Sequence, residues 1–219
     1  MLRYLHADAL FRHPRLSRSM FRDRARQFRD RLGWSVSVDD AGEERDAYDA
    51  LNPLYIIWEG TGGRHGGSMR FLPTTGRTMV NDHFLHLTDG VRIAHAGIWE
   101  CSRFCLSDGA APQVSSALIL GALEFGLAFR LSHAVGVFDA RMLRIYRRLG
   151  WPPTVLGTAG HGREAVSVGL WDFDAALKPG LLARAEIPAA QSEAWLHDGL
   201  GPSLPSLSDR PPIRLISSG

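Results

Sequence analysis

Apolar residues recur at helical spacing at Phe21, Ala25, Phe28 and Leu32, which predicts an amphipathic helix over residues 19–32 with an arginine-rich outer face. Gly33 is placed to end it. Residues 54–60 and 66–73 are rich in β-formers and separated by glycines, the pattern of two adjacent antiparallel strands. A short helix over 78–87 then leads to a strand over 97–106. A proline-containing loop with Ser115 as N-cap precedes a long apolar helix over 116–131. A strand at 133–138, a helix at 140–150 and an alternating strand at 164–171 complete the pattern. This order predicts an α/β (α+β) fold, a central mixed sheet flanked by helices. Residues 1–201 are expected to form one domain, and the proline- and serine-rich residues 202–219 a loosely ordered tail.

Composition narrows this little. A hydrophobic share of 45% and a charged share of 22% exclude a wholly disordered, collagenous or disulfide-stapled chain. The formal charge of +2 gives no global reason for a nucleic-acid or membrane partner. It hides an arginine bias, because Lys178 is the only lysine and residues 1–31 carry nine arginines. Charged residues interrupt the first twenty positions, and the longest apolar run, 117–131, contains Glu124 and is too short to span a bilayer. A cytoplasmic protein is therefore expected. Cys101 and Cys105 would lie about 13 Å apart on a regular strand, too far to pair, and are expected as small buried residues on one strand face. No cysteine and histidine spacing suggests a metal.

Chemistry enters with polar and aromatic residues that a core does not need. Arg24 and Phe28 share a helix face, Trp34 follows the helix end, and Asp46 and Asp49 precede the first hairpin. Arg70 lies between apolar neighbours in a strand. On a regular strand Glu100 and Ser102 would share one face, Cys101 and Arg103 the other.

These residues and their spacing resemble the acyl-homoserine-lactone synthases of the LuxI type, bacterial autoinducer synthases of quorum sensing. The family pattern appears as Arg24, Phe28 and Trp34 in "FRDRARQFRDRLGW", Asp46 and Asp49 in "ERDAYD", Arg70 in "GSMRFLPTT", Phe84 in "NDHFLHL", and Glu100 with Arg103 in "WECSRF". The resemblance covers roughly residues 1–171 and implies an N-acetyltransferase-like fold. The segment after residue 106 lacks the glycine-rich phosphate loop of ordinary acetyltransferases, a loop the synthase family also lacks. The helix start near Ser115 and Ser116 could still hold a phosphopantetheine phosphate.

The resemblance further implies an acyltransferase that joins S-adenosylmethionine, a cosubstrate, to the acyl chain of acyl carrier protein or acyl-CoA, with no separate cofactor or metal. Phe28, Trp34 and Phe84 are then candidates to face the sulfonium, and Arg24 or Arg103 to pair with the carboxylate. Asp46 and Asp49 would hold the ammonium or ribose, or brace Arg70. Glu100 is the first candidate for the base and Asp46 the second. Oxyanion donors are expected on a bulged strand between Met69 and Leu72, with Phe71 beside them and Ser102 as a further donor. Phe104, Leu118, Val137, Met142 and Ile145 are expected to line the acyl pocket. Gly136 occupies a position where makers of 3-oxo products often carry a hydroxyl, which favours an unsubstituted or 3-hydroxy chain. Arg141, Arg144, Arg147 and Arg148 suit docking of an acidic donor. Two other readings remain: an N-acetyltransferase using acetyl coenzyme A, and a nucleic-acid-binding module built on the N-terminal arginine helix.

Overall fold

In the computed structural model, which describes residues 1–203, alternating apolar segments assemble into a seven-stranded mixed sheet of order β1-β2-β3-β4-β5-β7-β6. Its strands are β1 (Leu2–His6), β2 (Leu54–Glu59), β3 (His65–Pro73), β4 (Ile98–Leu106), β5 (His133–Asp139), β6 (Thr154–Ala159) and β7 (Val166–Asp172). Only β4 and β5 run parallel. A parallel pair needs a crossover, and helix α3 (Gln113–Ala128) supplies it.

α3 is apolar on all sides because it is covered on all sides, by the sheet and by the C-terminal helices α5 (Lys178–Ala185) and α6 (Ala189–Leu200). Its one acid, Glu124, is buried yet satisfied: Ser192 Oγ donates to it at 3.0 Å and Lys178 Nζ lies 3.2 Å away. No helix among the described residues is long and apolar enough to cross a membrane.

Several elements depart from the sequence reading. α1 (Pro14–Ala25) starts earlier than residue 19, with proline in its first turn, and then widens into a π-helical turn over Arg26–Arg31 that ends at Gly33, φ +68°. α2 (Met79–His83) stops before Phe84, and a separate 3-10 turn covers Leu85–Leu87. α3 begins before Ser115, so Ser115 is no N-cap; its hydroxyl donates to the Pro112 carbonyl inside the first turn. β1, β6, α5 and α6 were not foreseen. β6 is an edge strand whose first residues are exposed, so no alternation marks it. Residues 204–219, most of the expected tail, lie outside the described residues.

The departure that shapes the site is a bulge in β4. Between Ser68 and Arg70 the β3–β4 register slips, and Arg103 opposite takes φ +55°, an uncommon conformation for a residue with a side chain. The bulge lies in β4, not in the Met69–Leu72 stretch of β3 where it was expected. It reverses the side-chain alternation, so Arg103 joins Glu100 and Ser102 on one face while Cys101, Phe104 and Leu106 pack toward α3. Cys101 and Cys105 accordingly face opposite ways. Both thiols are free, and burial pushes each up to about 12, so neither is a ready nucleophile.

Candidate active site

On the sheet face away from α3, three arginines and three carboxylates close into one buried cluster. α1 supplies Arg24, β3 supplies Arg70 and the β4 bulge supplies Arg103; Glu44, Asp46 and Asp49 come from the connection into β2. Arg24 donates through Nε to Glu44 at 2.5 Å and through both terminal nitrogens to the Asp49 oxygens at 2.9 Å, the bidentate fork that fits a carboxylate. Arg70 Nη1 reaches Asp46 at 2.5 Å and Asp49 at 2.8 Å, and its Nε donates to Ser102 Oγ at 3.1 Å. Arg103 Nη2 lies 2.9 Å from Glu44 and 2.8 Å from Asp46.

Burial works against the ionised Asp49, but the Arg24 fork, the Arg70 charge and the Tyr55 hydroxyl hold its carboxyl well below the usual range. Burial likewise opposes the Arg70 charge and is outweighed by Asp46 and Asp49. Three positive and three negative charges make the cluster neutral by itself.

Two of its guanidinium nitrogens have no oxygen acceptor. Arg70 Nη2 and Arg103 Nη1 both point at the Met79 thioether, each at 3.4 Å, and a thioether sulfur accepts weakly. Glu44 and Met79 escaped the sequence reading. Glu44 is fully buried and joins Arg24 to Arg103; its only signal was the density of acids in "EERDAYD".

Phe28 and Trp34 stack with centroids 5.1 Å apart and planes 18° apart, and the Arg103 guanidinium sits 5.1 Å from the Phe28 ring. The π-helical turn buries Phe28, whereas Trp34 stays 44% exposed and so offers a ring face to a ligand. Phe84 is not part of this stack; it packs with Val80, Leu87 and Val135.

Glu100 sits at the last ladder position joining β4 to β5, opposite Val135. Its Oε2 accepts from the Val80 N–H at 2.6 Å, while its Oε1 is buried with no hydrogen-bond partner. Burial raises its pKa; the Val80 bond and the Arg70 charge oppose this without cancelling it.

Past Glu100 and Val135 no ladder pairs connect β4 and β5, so the sheet parts there. On the α3 side of the opening lie Met69, Phe71, Phe104, Leu118, Met142 and Ile145, all in one apolar cluster. Val137, expected among them, is elsewhere: it points to the opposite face with Phe84. Ser102, expected as a hydrogen-bond donor, lies on the charged side, where its Oγ accepts from Arg70 Nε. Gly136 is tightly surrounded, since a Cβ there would lie 2.9 Å from the Cys101 carbonyl oxygen and 3.3 Å from the Trp171 ring.

A mixed sheet that opens at its one parallel pair, beside a buried carboxylate, defines an N-acetyltransferase-like acyltransferase fold, and comparison with known proteins narrows the class. The autoinducer synthase family model matches residues 8–178. An acyl-homoserine-lactone synthase of Rhizobium etli is 41% identical over 182 residues, covering 80% of this chain and 85% of that one. Another from Agrobacterium fabrum is 33% identical over 204 residues, covering 85% and 96%. The chain belongs to the autoinducer synthase family and is an acyltransferase enzyme of that family. Among solved structures, BjaI, a CoA-dependent acyl-homoserine lactone synthase with SAM and isopentyl-CoA, aligns with a TM-score of 0.77 at 23% identity, covering 86% of this chain and 90% of that one. A Lactobacillus plantarum protein described as an N-acetyltransferase aligns with a TM-score of 0.52 at 11% identity, covering 79% and 99%, which supports the fold alone.

Proposed function

We propose that the charged cluster is the S-adenosylmethionine pocket of an acyl-homoserine-lactone synthase, and that the opening between β4 and β5 is where the amine meets the acyl thioester. The observation that carries this reading is the unpartnered Oε1 of Glu100 at the edge of that opening. S-adenosylmethionine brings a sulfonium, an ammonium and a carboxylate, a net charge of +1. The neutral cluster with ionised Glu100 offers the matching −1.

Arg103 and Arg70 are the carboxylate partners favoured by the geometry, because their Met79-facing N–H groups would exchange a weak acceptor for a strong one. Every nitrogen of Arg24 already donates to Glu44 or Asp49, so Arg24 braces the pocket. Glu100 takes a proton from the ammonium; the amine attacks the thioester carbonyl and the thiolate departs, leaving an amide. The methionyl carboxylate then attacks the carbon next to the sulfonium, closes the lactone and releases 5'-methylthioadenosine. Phe71, Phe104 and Met142 would receive the acyl chain, and the tight surroundings of Gly136 support a chain without a bulky 3-substituent. The exposed arginines of α4 (Ala140–Leu149) Arg144, Arg147 and Arg148 suit an anionic donor, acyl carrier protein or acyl-CoA; Arg141 is held by Asp139 at 2.8 Å. Residues 1–201 acting as one domain is supported by the single sheet and the packing of α6 on β1. A cytoplasmic location fits both cosubstrates.

Purified protein given S-adenosylmethionine and a panel of acyl thioesters on both carriers is expected to yield methylthioadenosine and an acyl-homoserine lactone by mass spectrometry. Neither product with any medium or long chain would refute the proposal. Trp34→Ala is expected to raise KM for S-adenosylmethionine about 3- to 30-fold, the range of a cation-π contact worth about 0.5–2 kcal/mol, with little effect on KM for the acyl donor.

A further inference from the structure

A second buried polar group lies beside the cluster and takes no part in the chemistry above. His65, the first residue of β3, is 4% exposed, and its ring bridges two elements: Nδ1 is 2.8 Å from Asp23 Oδ2 on α1 and Nε2 is 3.0 Å from Ser68 Oγ on β3. A carboxylate only accepts, so Nδ1 carries the proton toward Asp23 and Nε2 accepts from the Ser68 hydroxyl. The His65 backbone N–H adds a third tie to α1, donating to Ser19 Oγ at 2.9 Å.

The arrangement has the connectivity of a serine, histidine and aspartate triad, but its serine is no nucleophile. Ser68 is 2% exposed and sits within the β3–β4 ladder opposite Cys105, where no substrate carbonyl can reach it. What the three residues share is adjacency to the pocket. Asp23 precedes Arg24 in α1, and Ser68 stands two positions before Arg70, on the same face of β3. Arg24 and Arg70 both bind Asp49 Oδ1, at 2.9 and 2.8 Å, so a small shift of α1 along β3 would break one of these bonds. Nonpolar packing alone tolerates such a slide more readily than a ring with one fixed donor and one fixed acceptor.

We propose that His65 is a positioning residue for the S-adenosylmethionine pocket: its ring, clamped between Asp23 and Ser68, fixes the distance between α1 and β3 and thereby holds Arg24 and Arg70 on their shared carboxylate. The inference rests on the function proposed for that cluster and adds a residue that touches no substrate. It assigns the ring an asymmetric effect, on the S-adenosylmethionine side of the sheet and not on the acyl side.

His65→Leu keeps the bulk and removes both hydrogen bonds; His65→Gln keeps one donor and one acceptor; Ser68→Ala removes a single arm and serves if His65→Leu fails to fold. Steady-state kinetics with each cosubstrate varied in turn, and thermal melts of each variant, give the readout. The expected result is a KM for S-adenosylmethionine raised at least 10-fold in His65→Leu and about 3-fold in Ser68→Ala, a KM for the acyl donor within 2-fold of the parent, and recovery of most of the loss in His65→Gln. Unchanged S-adenosylmethionine KM in folded His65→Leu or Ser68→Ala would overturn the proposal, as would equal rises in both KM values tracking a lower melting temperature. If the parent enzyme itself neither binds nor consumes S-adenosylmethionine, the proposed function falls, which is distinct from an active parent with indifferent variants.

Discussion

Glu100→Gln is expected to lower the rate of amide formation about 100-fold or more, the low end of what a positioned general base contributes, while leaving the fold intact or firmer. The glutamine can keep the bond from the Val80 N–H, since an amide oxygen accepts as a carboxylate oxygen does. What it loses is the capacity to take the proton. The stability half follows from the raised pKa of Glu100. A group whose pKa is higher in the folded than in the unfolded chain stabilises fully below the unfolded value and loses that contribution as pH rises through the folded value. Once ionised, the buried Glu100 therefore bears a penalty that glutamine avoids. The variant should melt no lower than the parent near pH 7.5, and its relative advantage should grow as pH rises from about 4.3. Methylthioadenosine release and melting curves across pH check both halves. Near-normal turnover in the variant would pass the role of base to Asp46.

Asp49→Asn is expected to have the largest effect on stability, roughly 3–5 kcal/mol, the usual result of removing one partner from a buried ion pair. Asp49 is the junction of the cluster: Arg24 and Arg70 both bind it, the Tyr55 hydroxyl donates to it at 2.5 Å, and the Asp46 N–H at 2.8 Å. The asparagine has nearly the same shape, so the loss reports charge and acceptor capacity. It leaves three guanidiniums facing two carboxylates in a largely buried cluster. The pH dependence has the opposite sign to that of Glu100. Asp49 has a depressed pKa, so its contribution is present above its unfolded value of about 3.9 and is lost as pH falls toward the folded value. Urea melts at pH 7 and on the acid side should show the parent losing stability with falling pH where the variant loses less. A difference below about 1 kcal/mol at pH 7, the size of a surface pair, would contradict the junction role.

The sequence carried much of this because its signals were local or shared with a family. The spacing of Phe21, Ala25, Phe28 and Leu32 fixed a helix, and the β-rich segments at 54–60, 66–73 and 97–106 became β2, β3 and β4. Arg24, Asp46, Asp49, Arg70 and Arg103 are legible in the sequence as site residues, and they converge. Of the elements missed, β1 has an alternating pattern but is only five residues long, whereas β6, α5 and α6 lack a clear periodic apolar signal. β6 is exposed at the edge, and α5 and α6 bury only small stretches of mixed sequence against α3 and β1.

The chain by itself determined which residue types this protein has available, in what order, and that its near-neutral charge conceals an arginine excess. Only the tertiary structure decided who faces whom. One extra residue in β4, with Arg103 at φ +55°, turned Arg103 to the side of Glu100 and placed Phe104 on the other. The tertiary structure also paired Glu44 across the cluster and set Asp23, His65 and Ser68 in line. The physical reason is that alternation along a strand is fixed by its partner's register. A bulge resets that register through hydrogen bonds to a strand far away in the chain, where no local pattern records it.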